Sequence, residues 1–392
     1  MQNFPPDKAE ASYVPITGPT AGPIEDASRI TSLDLIRGVA VLGILLMNVV
    51  SFKYGQVPYW NLSAGGSETW IDWAVGIFGE VFVDQKFMGL FSLLFGAGVM
   101  LFIDRASRRE RHPVWLNLWR NLLLLGIGLL HYLLWEGDVL MLYAVSSAIL
   151  ICFRKLSART LIILGAIVFL LPVPGDLLAQ TIADSYNSDL TGIWTDPGAE
   201  IRDPIGLFML SAYFARGLGM IMIGAGLFRL GFTQGECSSR AYTLFAVYGT
   251  TIGLALAALG VVLVAWNDFS REVAFIGNIP NSLGTIPAAM GYMSLIVLWN
   301  KRKNSWLKSR LSAVGRMALT NYLAQSLMGI LILVVALADF SIGRSGLLIF
   351  VVGVWAVQLW WSQAWLSRFR FGPAEWLWRV ATYRGWQPLR RS

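Results

Sequence analysis

Apolar residues in this chain gather into long runs separated by short polar gaps, and the runs do not alternate with a period of two as barrel strands would. Ten of them can be traced, at 35–54, 70–103, 115–135, 138–153, 159–174, 205–230, 240–266, 274–299, 311–337 and 345–367. A helix of about 20 residues covers the roughly 30 Å hydrocarbon core of a bilayer. Only helices or closed barrels satisfy their backbone amides there. The second run is long enough to be a tilted or broken unit, and 138–153 is the shortest. The pattern predicts an all-α polytopic transmembrane helix bundle of about ten spans.

Charge gives that bundle an orientation. Arg105, Arg108, Arg109 and Arg111 fill one gap between runs, Arg154, Lys155 and Arg159 another, and Lys301, Arg302, Lys303, Lys308 and Arg310 a third. The intervening gaps hold chiefly Lys53, Arg202, Arg271 and Arg344. Basic loops stay in the cytoplasm, so both termini are expected there. At 55% hydrophobic and 14% charged residues, the 392-residue chain has too little polar surface for a soluble globule. Its net charge of +7 therefore points to contact with the lipid bilayer and its anionic headgroups, and not to nucleic acid.

The runs divide the chain into a cytoplasmic lead at 1–28, an N-terminal membrane half at 29–174, an extracytoplasmic loop at 175–204, a C-terminal membrane half at 205–367 and a tail at 368–392. The lead, with Pro5, Pro6, Pro15, Pro19 and Pro23, has no signal-peptide core and reads as disordered. The loop, holding Asp176, Asp184, Asp189, Asp196 and Pro197, could fold as a short cap. In the tail, Trp376, Leu377, Val380 and Tyr383 share a helical face flanked by Arg379 and Arg384, which suggests a helix lying on the inner leaflet. Small residues such as Gly96, Gly98, Ala215 with Gly219, and Gly253 with Ala257 are expected to let helices approach closely.

Ionisable groups inside hydrocarbon are costly, so the few in these runs mark candidate sites. Asn48, Glu80, Asp84, Lys86, His131, Glu136, Asp138, Arg216, Asn321 and Gln325 all fall in the outer half of the bilayer by this topology, which implies a polar cavity opening outward. His131 lies close in sequence to two carboxylates, the arrangement that tunes an imidazole as a general base. A histidine capping an interfacial turn is the plain structural alternative. At the cytoplasmic mouth Asp34 suits the helix dipole and can pair with Arg37. Arg37 and Arg316 could also hold a phosphate of a cytoplasmic substrate. The chain has no Gly-rich phosphate loop, no metal-ligand spacing among its two histidines and two cysteines, and one sequon, Asn61-Leu62-Ser63, without assigned role. Cys152 and Cys237 lie in different elements on the cytoplasmic side and are read as unpaired.

Three segments resemble the YeiB-like family of bacterial membrane proteins, which carries a domain of unknown function. They are Ser32-Leu33-Asp34-Leu35-Ile36-Arg37-Gly38 through Asn48, Lys86-Phe87-Met88-Gly89-Leu90-Phe91 through Gly98, and Gly315-Arg316-Met317-Ala318-Leu319-Thr320-Asn321-Tyr322 through Ser326. Gly128-Leu129-Leu130-His131 with Glu136-Gly137-Asp138, and the ending Gly372-Pro373-Ala374-Glu375-Trp376-Leu377-Trp378-Arg379, look like the same family's histidine turn and closing motif. The family is distantly similar to transmembrane acyltransferases of the heparan-glucosaminide acetyltransferase type, through Leu33, Asp34, Arg37, Gly38 and Asn48. The resemblance implies a bacterial cytoplasmic (inner) membrane and a cytoplasmic acyl-CoA donor. In those acetyltransferases a catalytic histidine follows the asparagine. Here Pro58, Tyr59 and Trp60 occupy that stretch, and His131 is the histidine that could take over.

The leading expectation is an acyltransferase that carries an acyl group from a cytoplasmic thioester to an envelope acceptor or lipid, with no bound cofactor and acyl-CoA as donor substrate. His131 would be the base, aided by Glu136 or Asp138, with Asn48 or Asn321 steadying the oxyanion. A proton-coupled transporter or exporter would instead use Glu80, Asp84, Lys86, Arg216 and His131 as a relay. A membrane scaffold or sensor, docking through its tail, is the third alternative. An oligomer is compatible with all three.

Overall fold

The computed structural model describes residues 31–108, 112–185, 194–195 and 204–391. The lead at 1–28, Arg109, Arg111, Asp189, Asp196, Pro197 and Arg202 lie outside the described residues. Fifteen helices follow in order: α1 (Thr31–Tyr54), α2 (Val57–Trp60), α3 (Trp70–Phe82), α4 (Lys86–Ala106), α5 (Pro113–Tyr132), α6 (Leu140–Phe153), α7 (Ala158–Leu170), α8 (Pro172–Ser185), α9 (Pro204–Arg229), α10 (Ser239–Trp266), α11 (Asn278–Asn300), α12 (Trp306–Arg316), α13 (Ala318–Ala336), α14 (Arg344–Arg368) and α15 (Pro373–Tyr383). Nine stretches among the described residues are long and apolar enough to cross a bilayer, and the shorter α6 is equally apolar. The chain is a multi-pass membrane helix bundle.

Burial sorts the helices. In α1, 78% of the apolar window is enclosed, against 22% in α5 and α10, so α1 runs through the bundle while the latter two present most of their surface to lipid. Leu35, Ile36 and Val41 of α1 meet Leu90 and Leu93 of α4, Met220 and Ile223 of α9, Ala289 and Met293 of α11, and Val314 of α12. Bare backbone makes this closeness geometrically attainable. A Cβ on Gly96 would stand 1.9 Å from the Ile221 carbonyl, and one on Gly38 would stand 1.9 Å from the Leu311 carbonyl. Gly98, expected to act like Gly96, instead has open space beside it.

Three boundaries and one docking position refine the sequence reading. The second run breaks at Val83–Gln85, where Gln85 adopts a left-handed φ of 59°. The start of α3 lies near Arg344 of α14, and the break lies near Asn278 of α11, both of which begin outer helix ends. Thus α3 lies along the outer surface and α4 alone crosses. The run at 159–174 continues past Leu171 into α8, because Pro172 opens a helix as readily as it closes one. The run at 311–337 is divided at Met317 (φ −113°, ψ 32°), giving α12 and α13. Finally, α15 is an amphipathic helix as expected, but it docks on the bundle: Trp119 Nε1 donates to the Ala381 carbonyl at 3.0 Å and Trp378 Nε1 to the Arg120 carbonyl at 2.9 Å.

Candidate functional site

The outer ends of α1, α9, α10 and α11, the α3–α4 break and the α5–α6 turn enclose a cavity of about 560 Å³. Asn48, Glu80, Asp84, Glu136, Asp138 and Arg216, picked out from sequence for their depth, all line it. Each arrives by a different local device. The left-handed turn at Gln85 brings Asp84 inward, where it accepts from the Tyr59 hydroxyl at 2.9 Å and from Asn281 Nδ2 at 2.7 Å. Burial, reinforced by the Asp84 charge, pushes the Tyr59 phenol well up, so it stays a donor. Lys86 is fully enclosed one layer behind; its Nζ donates to the Glu80 carbonyl at 2.8 Å and to Asn281 Oδ1. Glu80 Oε1 is buried and has no hydrogen-bond partner.

On the opposite wall the last turn of α5 carries His131. Its Nδ1 lies 2.7 Å from Asp138 Oδ1, and both side chains are almost wholly enclosed. The other Asp138 oxygen accepts from the Met141 amide at 2.9 Å, which caps the start of α6 and fixes the carboxylate. A carboxylate on Nδ1 makes that nitrogen the proton-bearing one and leaves the lone pair on Nε2. Nε2 is buried without a partner. It is screened from the cavity by Tyr322 and Trp135, whose ring centroids lie 5.1 and 6.0 Å from the imidazole and which themselves line the space. Glu136 is exposed at the cavity mouth, so Asp138 is the carboxylate that engages the histidine. Arg216 donates from Nη2 to Asp176 at 2.6 Å, a partner supplied by α8.

The remaining sequence candidates are elsewhere. Asn321 is wholly buried among α12 and α14, donating from Nδ2 to the Val314 carbonyl and to Ser362 Oγ while its Oδ1 accepts from Trp361 Nε1. Gln325 donates to the Val41 carbonyl and to Gln358 Oε1. Both amides tie helices together and neither lines the cavity. Arg37 pairs with Asp34 at 3.1 Å, the structural pairing its spacing suggested. Arg316 reaches the Arg370 carbonyl. Asn61 is buried and donates to the Trp194 carbonyl, so the sequon is part of the outer packing. Tyr59, Asp176, Asn281 and Tyr322 were not among the candidate site residues taken from the sequence. Asn281 and Tyr322 carried a signal, as polar tips within apolar runs, and Tyr322 directly follows Asn321.

Similarity supplies the family. The profile described as "Protein of unknown function (DUF418)" matches residues 227–385. The chain is 34% identical to "Uncharacterized protein YeiB" of Escherichia coli strain K12, covering 92% of this chain and 98% of that protein. It is 30% identical to "Uncharacterized protein YxaH" of Bacillus subtilis strain 168, covering 93% and 96%. This chain belongs to the DUF418 family. A third relative, an uncharacterized 39.9 kDa protein of Bacillus acidopullulyticus, is 25% identical over 94% of this chain. Because all three alignments span nearly the whole DUF418 chain, both membrane halves that build the cavity are included in the likeness.

Proposed function

We propose that this protein is an acyltransferase of the bacterial cytoplasmic membrane, transferring an acyl group from a thioester donor to a hydroxyl or amine admitted to the outward cavity. The observation that carries the reading is the enclosed His131–Asp138 pair with an unpartnered Nε2 behind the cavity wall. Movement of Tyr322 or Trp135 opens Nε2 to an acceptor. Nε2 then takes the acceptor proton as the acceptor heteroatom bonds to the thioester carbonyl carbon. The C–S bond breaks on collapse of the tetrahedral intermediate, and the departing thiolate takes the proton back from the imidazolium. Asn48, half-buried in the wall, is the amide we assign to the oxyanion. Asn321, committed to Trp361 and Ser362, is not assigned that role.

Acyl-CoA is the proposed donor, and an envelope component or lipid the acceptor. Purified protein in nanodiscs, supplied with acyl-CoA and an envelope extract, should release free thiol and acylate the extract, and His131→Ala should do neither. If acyl-CoA is neither bound nor cleaved, and envelope acylation is unchanged in a deletion strain, the reading fails. One observation favours a second reading, proton-coupled transport: Glu80 Oε1 lies buried and unpartnered in the wall, with the Lys86 ammonium on its own carbonyl. Flux driven by a pH gradient in proteoliposomes and lost in Glu80→Gln would select it.

A further inference from the structure

Polar groups occupy only part of the outward cavity's wall, and much of the rest is hydrocarbon. Phe208, Met209 and Leu210 of α9 form one apolar side, and Val261 and Val264 of α10 form another. The two helices are anchored to different neighbours: α9 packs on α4, α6, α7 and α8, whereas the outer part of α10 packs on α11 and α3. Leu210 lines the cavity and is also 65% exposed, so the wall reaches the outside of the bundle at this edge. The flanks of that edge are apolar too, with Leu207 on α9 and Val262 and Trp266 on α10 all exposed. On the outer side Trp194, Phe269 and Phe275 complete the lining and are tied in place. Trp194 Nε1 donates to the Phe269 carbonyl at 2.7 Å, while Gln180 of α8 donates to the Arg271 carbonyl at 3.1 Å and accepts from the Phe275 amide at 3.0 Å. An apolar edge beside a hydrogen-bonded roof suits entry of a hydrocarbon chain from the bilayer.

The charge in the polar part is one-sided. Among the described residues the lining holds five carboxylates, Glu80, Asp84, Glu136, Asp138 and Asp176, and a single cation, Arg216. Arg216 is spent on Asp176, and Asp138 on His131. Asp84 is met by neutral donors, Tyr59 and Asn281. The wall stays negative even with Lys86, enclosed one layer behind it, counted. Glu80 keeps one oxygen buried and unpartnered, and Glu136 stands exposed at the mouth. A cleft of one sign in low-dielectric surroundings concentrates cations and repels phosphate. We propose that the cavity binds a single-chain amphiphile with an ammonium head, its tail between α9 and α10 and its head at Glu80. Because α10 packs on α3, the helix that carries Glu80, the apolar side and the acid adjoin. A volume of about 560 Å³ suits one molecule of drug size and is too small for a two-chain phospholipid. The site stands whether or not the cavity transfers acyl groups.

The test uses the full chain in phosphatidylcholine nanodiscs and, below its micellar concentration, dodecylamine carrying a photoactivatable diazirine at the end of its chain. After irradiation, peptides around Met209 of α9 and Val261 of α10 should be labelled. Unlabelled dodecylamine should suppress that labelling, and dodecyl phosphate should not. Glu80→Gln, which removes the charge and keeps the shape, should weaken suppression by dodecylamine about tenfold or more. Val261→Trp, which fills the apolar side, should abolish labelling around Met209, while Leu259→Trp, at an exposed position of the same helix outside the lining, should label as the parent does. Should Val261→Trp fail to fold, Glu80→Gln carries the same expectation. Labelling that dodecylamine does not suppress, or that dodecyl phosphate suppresses equally, overturns the proposal, as does suppression unchanged in Glu80→Gln. Because the readout is binding, this result is separable from any loss of acyl transfer.

Discussion

Asp138 decides which nitrogen of His131 bears the proton, and that makes it a positioning residue for the proposed reaction. Replacing it with Asn preserves size but offers Nδ1 an amide that can donate as well as accept, so the lone pair is no longer fixed on Nε2. Asp138→Asn should lower the rate of thiol release by about 10²- to 10⁴-fold with little change in KM, and should displace the pH profile, whereas a purely structural role would alter stability alone. A second pair of substitutions separates close packing from composition. Gly96→Ala would drive a methyl into the Ile221 carbonyl at 1.9 Å and should cost about 1–3 kcal/mol of stability as α4 and α9 part. Gly98→Ala, two residues on and facing open space, should be neutral or stabilising by up to about 1 kcal/mol, the helix-propensity difference. Thermal unfolding in detergent measures both. Nothing in the apolar pattern told these glycines apart, since their difference lies in which neighbour each one faces.

Helix α15 shows how an element's position can depend on one buried acid. Glu375 Oε1 accepts from the Leu319 and Thr320 amides at 2.7 and 3.1 Å, and Oε2 from Thr320 Oγ1 at 2.5 Å, so the tail supplies the cap that the start of α13 lacks. Glu375→Ala leaves those amides unpaired and should cost about 1–3 kcal/mol, releasing α15 to proteolysis. Burial pushes the Glu375 carboxyl up. A folded pKa above the unfolded one gives a contribution that is complete below the unfolded pKa and declines as pH rises through the folded value. Proteolysis of the tail should therefore quicken as pH rises through that value, and Glu375→Gln should flatten the dependence. The amphipathic pattern of Trp376, Leu377 and Val380 was legible in the sequence, because a face of the helix is a local property. Its docking partner was not, because the Trp119 indole and the Arg120 carbonyl belong to α5, a helix brought close only by the fold. The same reasoning separates α3 from α4: the length of the run allowed a break, but only the nearness of α3 to Arg344 and of the break to Asn278 places the first piece along the surface.

At the scale of the whole molecule, run length suffices to read most of the spans, and the distribution of arginine and lysine predicts their sense. The cavity was legible in part. Asn48, Glu80, Asp84, Asp138 and Arg216 were found because hydrocarbon tolerates polar groups only where protein surrounds them. The same rule included Asn321 and Gln325, which satisfy it by bonding neighbouring helices. Depth alone cannot separate a wall from a tie. Orientation is the remaining inference, and it rests on loops that can be labelled. Asn304, exposed in the basic connection between α11 and α12, should face the cytoplasm, and Asp339, exposed between α13 and α14, the opposite side. With Cys152 and Cys237 replaced by serine, a membrane-impermeant maleimide should modify Asp339→Cys in intact spheroplasts and Asn304→Cys only after permeabilisation. The reverse pattern would place the arginine- and lysine-rich connections outside and the His131 cavity inside. An acceptor in the envelope could not then reach the imidazole by the route argued for it.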